Sequence, residues 1–123
     1  MFTVDVDRNE DVAVLQCHGR IVRGDATYTL RDTVTSQRNA RIIVLDLSDV
    51  HALDGSGLGM LVFVHRWTRD SGVQLKLVNP SSLVREMLER TRLTRVFDVS
   101  SMDDALTILC GYQHHDRLYA TAS

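Results

Sequence analysis

Ser56 is the residue whose type and position could do chemistry, and it lies in the run Asp-Gly-Ser-Gly-Leu-Gly at 54–59. An apolar stretch at 41–47 precedes this run, and a helical pattern extends from Ser56 to about Asp70. The first turn of a helix has four backbone N–H groups without helical acceptors and is the positive end of the dipole, so it favours an anion. The spacing therefore indicates a serine hydroxyl beside an anion-binding helix start.

This position allows two uses of Ser56. In one, its hydroxyl accepts a backbone N–H bond and caps the helix, which stabilises the fold by about 1 kcal/mol. In the other, a kinase phosphorylates Ser56 and adds about 1.5 to 2 negative charges. The charge of Asp54 would add to that of the phosphate, so a partner surface docked there would be repelled. The spacing alone does not choose between these uses.

Enzymatic interpretations of the same run are weaker. A dinucleotide loop requires Gly-x-Gly-x-x-Gly, and Met60 stands at the third glycine. A hydrolase elbow requires Gly-x-Ser-x-Gly, but Asp54 and Leu58 stand at the two glycines. His18, His51 and His65 could act as bases, yet nothing in their spacing connects any of them to Ser56. The sequence therefore predicts a protein that is not an enzyme and has no cofactor.

Composition limits the kinds of partner. The 123 residues are 44% apolar and 24% charged, which predicts one domain with a hydrophobic core. The net charge is −2 with both signs interspersed, so no basic stripe is expected to bind nucleic acid or a membrane surface. The N-terminus lacks the features of a signal peptide, and the longest apolar stretch, 58–64, is too short to span a bilayer. A cytoplasmic location is expected.

Cysteine and histidine spacing predicts neither a metal site nor a disulfide framework. Cys17 and Cys110 lie far apart in the sequence, and we expect them to be buried free thiols. His114 and His115 could ligate a metal, but adjacent histidines in a tail bind weakly and nonspecifically. No metal is therefore predicted.

Strand patterns alternate with helix patterns along the chain. Strands are predicted at 2–7, 12–19, 41–47, 73–78 and 96–99, with a loop at 48–55. Helices are predicted at 25–36, 56–70, 82–90 and 101–112; the expected N-caps are Asp25 for the first and Ser81 or Ser82 for the third. This order predicts an α/β fold: an N-terminal hairpin, parallel pairing with crossover helices, and a mixed four- to five-stranded sheet with about four helices mostly on one face.

The core is predicted from the apolar positions of these elements. They are Val14, Leu15, Ile42, Ile43, Val44, Leu58, Leu61, Val62, Leu75, Leu77, Leu83, Met87, Leu88, Leu106 and Leu109.

Two motifs resemble the signature of STAS domains of the anti-sigma factor antagonist type. The family pattern is Asp-x-Ser-x-Val followed by Asp-Ser-Ser-Gly-Leu-Gly. This chain has Asp-Leu-Ser-Asp-Val at 46–50 and Asp-Gly-Ser-Gly-Leu-Gly at 54–59, with Gly55 in place of the first serine of the pair. The resemblance covers about residues 2–112, so we expect a STAS-like domain at 1–112 and a loosely ordered tail at 113–123.

The resemblance implies a phosphorylation switch. In the family, a serine kinase of the histidine-kinase-like ATPase type, which is also an anti-sigma factor, phosphorylates the serine that corresponds to Ser56. The unphosphorylated antagonist binds this kinase and a sigma factor is released, and a PP2C-type phosphatase removes the phosphate. The implied partner-binding residues are Asp54, Gly55, Ser56, Gly57, Leu58, Gly59 and Arg23.

The segment Arg-Ile-Val-Arg at 20–23 is a departure from the family, because many members carry an acid near Val22. A second interpretation also stays open. The same fold serves as a subunit of stress-signalling or lipid-transport complexes, where it binds a ligand or partner without phosphorylation.

Overall fold

Five strands form one sheet in which the spatial order follows the chain order. The computed structural model describes residues 1–97 and the backbone of residues 99 and 100. The strands are β1 (Phe2–Asn9), β2 (Val12–Ile21), β3 (Ile42–Leu53), β4 (Gln74–Val78) and β5 (Val99–Ser100). The helices are α1 (Asp25–Thr35), α2 (Gly55–Asp70) and α3 (Ser82–Arg90), followed by a 3₁₀ turn at Leu93–Arg95.

The pairing confirms the predicted mixed sheet. β1 and β2 form an antiparallel hairpin, whereas β2–β3, β3–β4 and β4–β5 pair in parallel. Each parallel pair is joined by one helix, because a chain that re-enters a sheet in the same direction needs a crossover. The carboxyl ends of the parallel strands and the first turns of the helices therefore share one edge of the sheet. The predicted helix at 101–112 and tail at 113–123 lie outside the described residues.

The three helices pack on one face of the sheet. Leu15, Leu45 and Leu77 are register partners on neighbouring strands, so their side chains point to the same face. These leucines belong to one buried cluster with Leu30 of α1, Leu61 of α2, and Val84 and Leu88 of α3. The parallel crossovers thus bury the central strands beneath the helices.

Three predicted strand ends were wrong, and the first is that of β1, which continues past Asp7 to Asn9. β2 continues past Gly19 to Ile21, and β3 continues to Leu53 through most of the predicted loop at 48–55. Gly19 pairs with Phe2 at φ 107°, and a Cβ there would lie 2.0 Å from the carbonyl oxygen of Met1. Gly19 therefore allows the close approach of the β1 backbone, and the strand β2 continues through it. The two long strands pair to their ends, with irregularities on either side of His18 and Gly19.

The helix starts differ from the predictions in one case and agree in another. Asp25 is the first residue of α1 and not its N-cap, which is Gly24. Ser81 caps α3 as predicted, since its Oγ accepts the N–H of Val84 at 3.3 Å. The last strand begins at Val99 and not at Val96, which is exposed.

The core agrees with the prediction along the strands better than along the helices. Leu15, Ile42, Ile43, Val44, Leu61, Leu77 and Leu88 are buried, whereas Val14, Leu58, Val62, Leu75 and Met87 are half-buried. Leu83 was wrongly placed in the core, because α3 turns Val84 inward and leaves Leu83 40% exposed. Leu106 and Leu109 lie outside the described residues.

Cys17 is a buried free thiol, as expected. Burial raises its pKa to about 12, so the thiol stays protonated and acts as a small apolar side chain. Cys110 lies outside the described residues.

Candidate functional site

Asp54 caps the first turn of α2. Its Oδ1 accepts the N–H of Gly57 at 2.8 Å, and Asp54 lies in an extended conformation that is typical of an N-cap. Backbone N–H groups of Arg23, Gly57 and Ser56 donate to the carboxylate and hold the pKa of Asp54 below its usual range. The cap for which Ser56 was one candidate is therefore formed by Asp54.

Ser56 is the second residue of α2 and is exposed. Within the described part of the chain its hydroxyl makes no hydrogen bond, so it is neither a cap nor part of a side-chain network. The hydroxyl lies beside the N–H groups of the first turn, where added negative charge interacts favourably with the helix dipole. The geometry leaves Ser56 accessible to an enzyme that approaches from solution.

The Asp54 carboxylate also joins two loops that are distant in sequence. Its Oδ2 accepts the backbone N–H of Arg23 at 3.0 Å, across a separation of 31 residues. One side chain thus connects the loop between β2 and α1 to the start of α2. Arg23, predicted to contact a partner, is held next to the Ser56 turn.

Gly57 lets the end of β2 pack directly on α2. A Cβ at Gly57 would lie 2.0 Å from the backbone oxygen of Ile21 and 2.8 Å from the Cδ1 atom of Leu53. Gly57 is buried for this reason. Among the predicted partner-binding residues, it therefore contributes to packing and does not line the exposed surface.

The other predicted residues divide by exposure. Gly55, Gly59 and Arg23 are exposed together with Ser56, whereas Asp54 and Leu58 are half-buried. Phe63, which the sequence analysis did not single out, lies one helical turn beyond Gly59 and is 39% exposed. Ser56, Gly59 and Phe63 are 3 and 4 residues apart and therefore lie on one exposed side of α2. This spacing could have indicated Phe63 from the sequence.

The histidines considered as bases are engaged elsewhere. His51 lies in β3 and pairs with Asp49 at 3.2 Å, and His18 bonds Asp49 at 2.9 Å and Asp5 at 3.1 Å. His65 is half-buried and makes an edge contact with the ring of Phe97. No hydrogen bond joins these rings to Ser56 in the region that the structure describes. Ser56 has no base to activate it as a nucleophile there.

The described residues offer neither a metal-binding cluster nor a membrane-spanning helix. No group of three or more His, Cys, Asp or Glu side chains in them is arranged to hold a metal ion. Nor do they include a helix that combines the length and the apolar character needed to cross a membrane.

The comparison with protein families identifies the fold. A family model described as the STAS domain matches residues 3–105. The chain belongs to the STAS domain family. This confirms the resemblance read from the motifs at 46–50 and 54–59.

Similar proteins carry related names. The chain is 29% identical to the anti-sigma-B factor antagonist of Bacillus subtilis over 105 residues, which cover 85% of this chain and 88% of that protein. An anti-sigma factor antagonist from Mycobacterium paratuberculosis has a similar structure, with a TM-score of 0.76, 24% identity, and coverage of 88% of this chain and 93% of that one. The Bacillus cell fate determinant SpoIIAA in its phosphorylated form gives a TM-score of 0.68 at 16% identity, covering 87% of this chain and 99% of that one. The two structural likenesses show a shared fold.

Proposed function

We propose that this chain is an anti-sigma factor antagonist, a non-enzymatic module that acts in the cytoplasm. It binds a cognate anti-sigma factor that is also a serine kinase of the histidine-kinase-like ATPase type. Phosphorylation of Ser56 switches the module off, and a PP2C-type phosphatase restores it. The observation that carries the proposal is the exposed hydroxyl of Ser56, which has no hydrogen-bond partner among the described residues, in a turn whose cap is already formed by Asp54.

The first turn of α2 suits a reversible phosphate. The N–H groups and the dipole accommodate a dianion, and the turn is already held by the hydrogen bonds that Gly57 and Arg23 donate to the Asp54 carboxylate. A phosphate would therefore change the charge of the surface without refolding it. It would add to the negative charge of Asp54, and a docked partner would be repelled by an energy of several kcal/mol.

The names of the similar proteins support the same function. The Bacillus subtilis relative is named an anti-sigma-B factor antagonist, and SpoIIAA has a phosphorylated form. Ser56 lies in the motif by which this chain resembles the antagonist type.

Phosphate mapping tests the proposal. The full chain is incubated with ATP, Mg²⁺ and the histidine-kinase-like serine kinase of the same organism, and the phosphate is located by mass spectrometry. We expect one phosphate on Ser56, none in Ser56→Ala, and removal by a PP2C-type phosphatase.

Ser48→Ala is the matched control, because Ser48 is the exposed serine of the first motif. We expect this variant to be phosphorylated normally. No phosphate on Ser56, with a kinase shown to be active on another substrate, would contradict the proposal. That result would instead favour a STAS subunit that binds a ligand or partner without phosphorylation.

A further inference from the structure

An open cavity of about 460 Å³ lies beside the Arg23 loop. It is formed where β1 begins, β2 ends and α1 begins. Its lining includes Phe2, Arg20, Val22, Arg23, Asp25 and Thr29.

The cavity is linked to the Ser56 turn through hydrogen bonds to Asp54. Arg23 lines the cavity and donates its backbone N–H to Asp54, which caps the turn that carries Ser56. Ile21, which precedes the same loop, packs with its backbone against Gly57 of α2. The loop between β2 and α1 is therefore shared by the cavity and by the support of the Ser56 turn.

The cavity has an excess of positive charge. Arg20 and Arg23 are exposed, and neither guanidinium has an ion-pair or hydrogen-bond partner in the part of the chain that the structure describes. The lining contains one carboxylate, that of Asp25. By contrast, Arg31 and Arg90 pair with acids on their own helices.

We propose that this cavity receives an acidic segment of the protein that acts on Ser56, with Arg20 and Arg23 pairing with its carboxylates. The inference rests on the proposed function and specifies the chemistry of the partner. Negative charge that appears on Ser56 would repel an acidic segment, so the charge of the cavity and the direction of the switch agree. A protein segment fits better than a small anion, because the arginines are exposed and the cavity is open.

Charge reversal tests the cavity. The double variant Arg20→Glu/Arg23→Glu is compared with the unmodified chain for binding to the kinase identified by Ser56 phosphorylation, at ionic strengths from about 0.05 to 0.5 M. We expect the association rate and the affinity to fall at least about tenfold at low salt, and the salt dependence to flatten. Arg20→Gln/Arg23→Gln should show a smaller loss in the same direction, which guards against misfolding of the reversed variant.

Arg38→Glu is the matched control. It makes the same charge change per residue on an exposed arginine. Arg38 lies between the end of α1 and the start of β3, at the amino ends of the parallel strands and away from the cavity. We expect it to leave binding within about twofold, because charges separated by more than a Debye length are screened. An equal loss in Arg38→Glu would show an effect of net charge and would overturn the inference.

The remaining outcomes separate the inference from the proposed function. If Ser56→Glu abolishes binding but the Arg20 and Arg23 variants bind normally, the proposed function stands and the cavity inference is wrong. If inorganic phosphate at millimolar concentration shifts the NMR signals of both guanidinium groups and the kinase does not, the cavity binds a small anion and the protein occupant is wrong. If no form binds the kinase and none is phosphorylated, both proposals fail together.

Discussion

The starts of α2 and α3 each carry a serine, and the two serines do different work. Ser81 is the cap of α3: its Oγ accepts from Val84 and donates to the carbonyl of Val50 at 2.8 Å. Ser56 lies two residues after the cap of α2, because Asp54 accepts the N–H bond that a capping serine would take. A serine at a helix start is therefore structural when it is the cap, and available for modification when a neighbour has taken that position.

The sharpest test of this contrast is negative charge at Ser56, with an uncharged change at Ser81 for comparison. Ser56→Glu should weaken binding to the kinase by about 100-fold, because a like charge at an interface costs several kcal/mol. Affinity is measured by titration calorimetry. Ser81→Ala, which changes the other serine without adding charge, should bind as the unmodified chain does. Tight binding by Ser56→Glu would contradict a switch based on repulsion.

A second test concerns the packing that holds the Ser56 turn. Gly57→Ala should lower the free energy of unfolding by about 2 kcal/mol, since the added methyl would meet the backbone of Ile21. Gly59→Ala is its counterpart on the exposed side, where no atom lies within 4 Å of the added Cβ. That change should raise stability by about 0.5 to 1 kcal/mol through helix propensity. Urea unfolding measures the change in the free energy of unfolding for each variant. Equal changes would show that the Ile21 backbone does not restrict the side chain at position 57.

Removal of each hydroxyl compares the two serines directly. Ser81→Ala should cost about 1 kcal/mol of stability through loss of the α3 cap. Ser56→Ala should change stability by less than about 0.5 kcal/mol, because its hydroxyl has no partner in the described structure. Thermal unfolding of the two variants provides the measurement. A larger loss in Ser56→Ala would assign Ser56 a structural role.

The smallest expected effect is the response of the two caps to pH. The folded-state pKa of Asp54 is depressed, so its stabilising contribution is present above the ordinary value of 3.8 and is lost as pH falls through the folded pKa. A serine cap does not titrate in this range. Acid should therefore lower the protection factor of the Gly57 amide, which is its exchange rate relative to the intrinsic rate at the same pH, with little change at Val84; NMR measures both. Asp54→Asn keeps a capping oxygen and should remove the pH dependence; if it persists, another group is responsible.

Much of the fold could be predicted because it depends on local patterns. Alternating apolar residues predicted the hairpin and β4, and a continuous apolar run predicted the central strand β3. Ser81 or Ser82 was expected as a cap from its position before a helical pattern, and Ser81 is the cap. The errors occurred where contacts with another strand or with the sheet determined the length or the buried side of an element. β3 extends through residues 48–53 because β2 pairs along it as far as Leu53, and α3 turns Val84 inward because that side meets the sheet.

By itself, the sequence determined the order of the strands and helices, the resemblance to the STAS family and the position of Ser56 near a helix start. The tertiary structure decided that Asp54 is the cap, that Gly57 is buried and that the Arg23 loop lies against the Ser56 turn. The reason is physical: periodicity and capping preferences act between residues close in the chain. The bond from Arg23 to Asp54 joins residues 31 apart and forms only when β2 and β3 pair in the folded sheet.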